Sequence, residues 1–557
     1  MISEVGNITE IAGSELVSKS ESKFRLLVKK ISKKFWLLWV IVLVLTFSIQ
    51  VLTIDVLPNL PKDEAQITEY GRLFFYPKSD WSINWLLIEE QPLLLWSYIG
   101  PLISELSFHL FGSPGLGPRI AALIGGLVAA TMILILLRSR GVPRRFAWWL
   151  SLAFLLDPLF GLSQRIGRVD SWVIAICIAS CVLLRNSRNS RAALFNPKIM
   201  AAGGLAAIAS FVWPSAIFLY PLIALELFQR SQFNEEIGKF WKNVLLNCAA
   251  FLLGGLIGVV LLLVPIWQNL NLFINQIEIV LIKNVESKSL FDRLQSLFGF
   301  DQWLKLAKAF VKTLSLFLPV FALVAVVYKR DRPLILALMT AIFLILATLI
   351  YEHRVLYLIP YLLLIVGGFF IRLSERSSVA KKNSTTAVYS LSIIAGWAIL
   401  ISLIVRTALG FSVKEELDRS KIQHAVRTTI GQGNVKVYLA NTYELYYAGR
   451  ELGWRQYIPY AHFSYDANGN WTEKGYEPRE KFLTLFSNMD YAVFVQGSIT
   501  NDLSNLLNES GLTYYRTILR SDSASVQKLQ PMRMKSILRW YLGGPSHYGP
   551  YTIYRRL

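Results

Sequence analysis

Apolar residues in this chain come in blocks of about twenty, and the blocks are separated by short polar loops rather than by an alternating pattern. That block length matches a helix crossing the hydrocarbon core of a bilayer, roughly 30 Å at 1.5 Å per residue. The pattern predicts spans over Phe35–Ile54, Arg119–Leu137, Phe146–Leu162, Trp172–Leu184, Val244–Ile266, Val311–Tyr328, Leu334–Ile350, Val355–Ile371 and Val388–Ala408. Met200–Phe228 carries Trp213-Pro214 at its middle and reads as two short spans, which brings the expected total to eleven crossings. Pro92–Phe111 is apolar but contains Pro101, Glu105 and His109 and ends in Phe111-Gly-Ser-Pro-Gly115, so it reads as a helix lying in the interface. From about Gly410 the pattern changes. Strand-like runs Val435–Leu439, Tyr491–Gln496 and Tyr551–Tyr554 are interleaved with helix-like Glu415–Thr429 and Asp502–Ser510, as expected of a mixed α/β domain. The expected organisation is a polar tail over 1–34, a membrane domain over 35–409 and a C-terminal domain over 410–557.

Composition agrees with a polytopic α-helical membrane protein. Of 557 residues 54% are hydrophobic and only 17% charged, and mean hydropathy is +0.43. The formal net charge of +20 would suggest nucleic acid in a soluble chain. Here the excess sits in short loops such as Arg138-Ser-Arg140, Arg144-Arg145 and Lys329-Arg-Asp-Arg332, where it reads as topology signal and not as a nucleic-acid surface. The basic run Lys29–Lys34 before the first span predicts a cytoplasmic N-terminus without a cleavable signal, and eleven crossings then place the C-terminal domain outside the cytoplasmic (inner) membrane of a bacterium. Cys177, Cys181 and Cys248 all lie within apolar runs, so neither a disulfide framework nor a thiolate metal site is expected. No internal repeat, P-loop or dinucleotide fingerprint is present.

Candidate chemistry gathers at the outer ends of the spans. On the expected topology Asp63, Glu64, Glu90, Arg165, Arg168, Asp170, His353, Arg354 and Tyr357 share one membrane face. Carboxylates at bilayer depth cost about 2.5 to 3.5 kcal/mol, so acids held at the membrane edge invite a functional reading. Guanidinium groups clamp phosphate with paired hydrogen bonds. A carboxylate near an acceptor hydroxyl can take its proton during attack. The combination suits transfer from a lipid-linked phosphate to a polar acceptor. Each residue also has a plainer explanation: Arg165 and Arg168 as headgroup-seeking side chains, Glu89 as solvated, His353 as a lone structural histidine, Tyr357 as part of an interfacial aromatic belt.

The order of short motifs resembles the GT-C superfamily of polytopic glycosyltransferases, in its protein O-mannosyltransferase and aminoarabinose-transferase branch. The carrying residues are Pro61-Lys-Asp63-Glu64-Ala after the first span, Glu90-Gln-Pro92-Leu-Leu-Leu-Trp96, Phe111-Gly112 followed by Arg119, Arg168-Val-Asp170, and His353-Arg-Val-Leu-Tyr357-Leu-Ile-Pro360. The resemblance covers roughly residues 36–372. It implies a polyprenyl-phosphate-linked sugar as donor and a hydroxyl of lipid, glycan or protein as acceptor, with transfer at the outer face and inversion at the anomeric carbon. It further implies Asp63 as base with Glu64 beside it, Asp170 as a second acid, and Arg354 with Tyr357 near the lipid phosphate. A divalent metal is not favoured. Gln66 and Gln91 stand where the aminoarabinose branch has basic residues, which argues against its particular phosphate clamp. Three other readings remain open at this level: an O-antigen ligase or polymerase, for which Trp267–Lys305 with Arg293 is the candidate loop, a lipid flippase or transporter, and a structural scaffold.

Overall fold

The computed structural model describes residues 35–55, 62–75, 97–111, 116–187, 194–231, 237–271, 299–310, 331–347, 352–377, 419–440, 442–457, 479–496, 498–518 and 550–557, with scattered single residues at 274, 322, 326 and between 397 and 411. The expected spans over 311–328 and most of 388–408 lie outside this set, as does the tail over 1–34. Two compact units divide the chain, residues 1–52 and residues 53–557. In the first, α1 (Phe35–Val51) is an apolar helix.

The second unit is helical up to residue 377. Its first elements are α2 (Lys62–Phe75), α3 (Ile99–Phe111), α4 (Leu116–Ser139), α5 (Arg144–Leu156), α6 (Pro158–Arg165) and α7 (Asp170–Asn186). They are followed by α8 (Pro197–Val212), a 3-10 turn Pro214–Leu219, α9 (Tyr220–Ser231), α10 (Ile237–Leu263) and α11 (Phe300–Phe310). Last come α12 (Arg332–Leu346), α13 (Glu352–Val355) with the 3-10 turn Leu356–Leu358, and α14 (Ile359–Ser377). Two described helices, Leu116–Ser139 and Phe240–Gln268, are long and apolar enough to cross a membrane, and a bent pair makes a third if counted as one span. The remaining apolar helices are shorter, so eleven crossings are not reached among the described residues.

Local chemistry accounts for the breaks. The apolar run Phe146–Leu162 is not one straight span: it bends by 52° between α5 and α6. Asp157 caps α6 by accepting from the Leu159 and Phe160 amides, and Pro158 occupies its first turn, where a missing N–H costs nothing. Trp213 is extended ahead of Pro214 and ends α8, which separates Met200–Phe228 into two helical pieces. α3 has 13 residues and is roughly 20 Å long, and residues 92–96 of the expected interfacial helix lie outside the described residues.

Small residues and single polar anchors hold the helices together. Gly203 on α8 and Gly254 on α10 meet so closely that a Cβ on either would fall 2.0 Å from a carbonyl oxygen of the other helix. α7 is fastened to α4 by Ser171 and Trp172, whose side chains donate to the Ala122 and Ala121 carbonyls at 2.7 and 2.9 Å. It is fastened to α8 by Ser180, which donates to the Ala202 carbonyl at 2.9 Å. α10, by contrast, exposes Trp241, Leu245, Leu252, Leu256 and Leu261, a surface that only lipid tails solvate at low cost.

The C-terminal region forms a five-stranded mixed sheet in the order β2-β1-β3-β5-β4. Its strands are β1 (Lys436–Ala440), β2 (Arg455–Tyr457), β3 (Tyr491–Val495), β4 (Leu512–Ile518) and β5 (Tyr551–Arg556), with α15 (Arg419–Ile430), α16 (Tyr446–Glu451), α17 (Arg479–Ser487) and α18 (Asn501–Glu509) around them. β1 is parallel to β2 and β3, with Val437 opposite Gln456 on one side and Tyr491 on the other, and β5 runs antiparallel between β3 and β4. The mixed α/β expectation is met. Its core, with Tyr438, Phe486, Val493 and Ile553, continues without a break into Ala65 and Tyr70 of α2. The helix that begins with the two leading acids thus shares the core of the sheet region.

Candidate active site

α2 opens with Lys62-Asp63-Glu64, acids in a first turn where the helix dipole favours them. The two neighbours point into different surroundings. Asp63 keeps 43% of its side chain exposed and its Oδ2 is bonded by Arg168. Glu64 is fully buried: the Arg119 Nε donates to both of its oxygens at 3.0 Å and the Tyr447 hydroxyl donates to Oε1 at 3.1 Å. Arg119 also donates through Nη1 to the Ile54 carbonyl at 2.7 Å.

Arg168 follows Gly167, whose φ of +65° places the backbone in the left-handed region. A side chain on Gly167 would also run into Glu64, with a Cβ 2.8 Å from its Cγ. This turn lets the chain leave α6 and enter α7 with Arg168 and Asp170 on the same side. The Arg168 Nε donates to Asp170 Oδ2 at 2.6 Å, while Ser163 donates to that oxygen at 3.3 Å. The Tyr357 hydroxyl donates to Asp170 Oδ1 at 2.7 Å. One guanidinium thus joins Asp63 and Asp170, and Tyr357 closes the far end. Burial alone would lower the Arg168 pKa, but Asp170, Asp63 and the hydrogen bond to Asp170 outweigh it and hold the guanidinium more firmly charged than usual. Behind Tyr357, the Phe218 ring lies 5.8 Å from the tyrosine ring and 6.0 Å from the Arg354 guanidinium.

Of the residues singled out in the sequence, Asp63, Arg168, Asp170 and Tyr357 are brought into one bonded chain, and Arg354 lies one aromatic ring away. Arg165 is not in that chain. It is buried and donates to the Thr53 hydroxyl at 2.9 Å, so it does not snorkel to the surface either. Arg165 ends α6 three residues before Arg168, and the Gly167 turn separates their directions. The backbone of His353 belongs to α13, while its side chain is outside the described residues, as is all of Glu90. Among the described residues no group of three His, Cys, Asp or Glu side chains is placed to hold a metal ion.

Residues that sequence reasoning missed come from the sheet region. Tyr446 donates to Glu69 Oε2 at 2.7 Å, and Glu69 also takes both the Nε and an outer nitrogen of Arg72. Arg450 pairs with Glu105 of α3 through both outer nitrogens, at 2.5 and 2.8 Å, and its guanidinium lies 4.3 Å above the Phe108 ring. Tyr443 is buried, and burial, Glu444 and Asp63 together push its phenol well above the ordinary range. No periodicity links these residues to α2, from which they are separated by more than 370 positions. Arg119 did carry a signal, as a lone guanidinium opening an apolar run.

No family model matches this chain, and no curated protein matches it. Solved structures similar to it include ArnT from Cupriavidus metallidurans in the apo state, at 14% identity over 87% of this chain and 96% of that one, with a TM-score of 0.49. A second is ArnT from the same organism bound to undecaprenyl phosphate, at 16% identity over 75% and 77%, TM-score 0.41. A third is the mycobacterial arabinofuranosyltransferase AftD, at 13% identity and TM-score 0.43, where 92% of this chain covers 39% of the other.

Proposed function

We propose that this chain is an integral-membrane glycosyltransferase that moves a sugar from a polyprenyl-phosphate donor to a hydroxyl of a lipid, glycan or protein at the outer membrane face. The observation that carries the reading is the chain Asp63–Arg168–Asp170–Tyr357, which is buried at one end and opens to solvent at Asp63 alone. A general base must reach its substrate's proton. Asp63 has the exposure for that and Asp170 does not. Arg168 engages Oδ2 of Asp63, which leaves Oδ1 to accept the proton of the acceptor hydroxyl as its oxygen attacks the anomeric carbon. The carbon–oxygen bond to the phosphate breaks, the phosphate leaves with the electron pair, and attack from the opposite face inverts the centre.

Arg168 holds the carboxylate in place through a charge-assisted bond. Asp170, fixed by Ser163 and Tyr357, holds Arg168 in turn. Glu64, saturated by Arg119 and Tyr447, serves to anchor α2 and not as a second base. Arg354, one aromatic ring beyond Tyr357, is the group we assign to the leaving phosphate, together with His353. Glu90, in the first loop, is the further acid we assign to the substrate.

The test is transfer of radiolabel from a panel of polyprenyl-phosphate sugars in membranes containing wild type or Asp63→Asn. Label reaching an endogenous acceptor with wild type alone supports the reading and identifies the sugar. Near-normal transfer by Asp63→Asn removes Asp63 from the role of base. If no donor is consumed while labelled lipid changes sides of the bilayer, the protein is a flippase.

A further inference from the structure

A base that acts from the first turn of a helix is only as well placed as that helix. α2 lies between the helical region and the sheet, and its polar anchors are divided between them. From the helical side come Arg168 on Asp63 and Arg119 on Glu64. From the sheet side come three residues of one short helix, α16. Tyr447 donates to Glu64, Tyr446 donates to Glu69, and Arg450 grips Glu105 of α3, which packs against α2 where the Gly71 Cα approaches the Pro101 carbonyl. Thr68, one turn after Glu64, donates to the Glu64 carbonyl at 2.9 Å and lies 3.4 Å from the Tyr447 hydroxyl. The Tyr447 ring stacks on Phe108 of α3 with centroids 5.6 Å apart and planes 14° from parallel.

The three acids that α16 engages are almost fully buried, Glu64 and Glu105 completely. A buried carboxylate needs its donors, and each donor therefore constrains the helix that bears it. Burial and the Glu69 carboxylate push the Tyr446 phenol well up, so it remains a hydrogen-bond donor at any physiological pH.

Resting on the glycosyltransferase reading above, we propose that α16 is a positioning element of the transfer site and that Tyr447 is its chief positioning residue. Tyr447 touches neither donor nor acceptor. It acts through Glu64: the hydroxyl fixes the carboxylate against Arg119, the carboxylate fixes the first turn of α2, and the first turn aims Asp63 at Arg168 and the incoming hydroxyl. A misplacement of about 1 Å in such a group costs about 10²-fold in rate, so a partial loosening is readily measured.

The experiment uses the full-length protein in membranes, with the polyprenyl-phosphate sugar that the wild type consumes. Tyr447→Phe removes the hydroxyl and keeps the ring on Phe108. The expected result is a fall in kcat of about 10-fold per folded molecule with donor KM within about two-fold, because the lost interaction is one that orients a catalytic group and not one that binds substrate. In a Glu64→Gln background the same substitution should cost about two-fold or less, since the charge-assisted bond is already gone. A merely structural role would lower the amount of folded protein and leave kcat and this non-additivity unmoved. A kcat for Tyr447→Phe within about two-fold of wild type, or losses that simply multiply in the double variant, overturns the proposal while leaving the glycosyltransferase reading intact. Wild-type membranes that transfer no sugar from any donor overturn that reading, and the proposal with it.

Discussion

The two ends of α7 carry the same side-chain chemistry in opposite proportions. At its start, Asp170 and Asp63 share the single guanidinium of Arg168. At its finish, Arg185 and Arg140 share the single carboxylate of Glu226 on α9, and the Arg185 Nε also donates to the Ser139 carbonyl at 2.9 Å. Both arrangements suit the helix dipole, acid at the N-terminus and base at the C-terminus. They differ in what is left over. In the first the carboxylates outnumber the cation and one of them, Asp63, opens to solvent. In the second the lone carboxylate is sealed and both partners are turned inward, with 9% and 13% of their side chains exposed. A closed cluster with cation in excess ties three helices together. An open cluster with carboxylate in excess has a group to offer a substrate.

That contrast can be broken in four places. Asp63→Asn should have the largest effect, a fall of about 10²- to 10⁴-fold in sugar transfer, with the protein still inserted and folded by size-exclusion profile. Arg168→Gln should come next: it takes from the buried Asp170 the guanidinium that donates to Oδ2, and a loss of about 3 kcal/mol in thermal stability should accompany the loss of transfer. At the other end, Glu226→Gln should lower stability by about 2 kcal/mol in the same unfolding measurement and leave transfer per folded molecule unchanged. If transfer falls with Glu226→Gln, the two ends are not functionally distinct. Tyr357→Phe should have the smallest effect. It removes one of several donors to Asp170, costing about 1 kcal/mol and less than about 10-fold in kcat, and a larger loss would place its hydroxyl on the substrate.

Much of the helical region was legible from block hydrophobicity, because a lipid-facing or tightly packed helix cannot hide its composition. Trp213-Pro214 announced a break that exists. Asp157-Pro158, inside an equally apolar run, announced one too, yet an average over twenty residues smooths away a single capping aspartate. The site was legible in part for the same kind of reason. Asp63, Arg168, Asp170 and Tyr357 are each charged or polar residues at the ends of apolar runs, and sidedness alone collects them. Arg165 meets the same criterion, yet the partner it takes is the Thr53 hydroxyl, which sidedness does not foretell. The sheet residues gave no warning. Tyr446, Tyr447 and Arg450 sit on a six-residue helix with no amphipathic stripe to read, and their partners lie near the other end of the sequence. β2 and β4 were missed as well, the first for its three-residue length and the second because it is mostly exposed and bulged between Tyr514 and Arg516.

The sheet whose core takes in α2 residues has its own assembly rule. β5, residues 551–556, is not an edge strand: it pairs on one side with β3 and on the other with β4. The core that takes in Ala65 and Tyr70 therefore includes Tyr551 and Ile553, almost 490 residues later. Closing a loop of that length is entropically costly, and the cost must be met before any contact across it stabilises the chain. Synthesis delivers Asp63 among the first residues, and the core that its helix joins is completed only when β5 has been made.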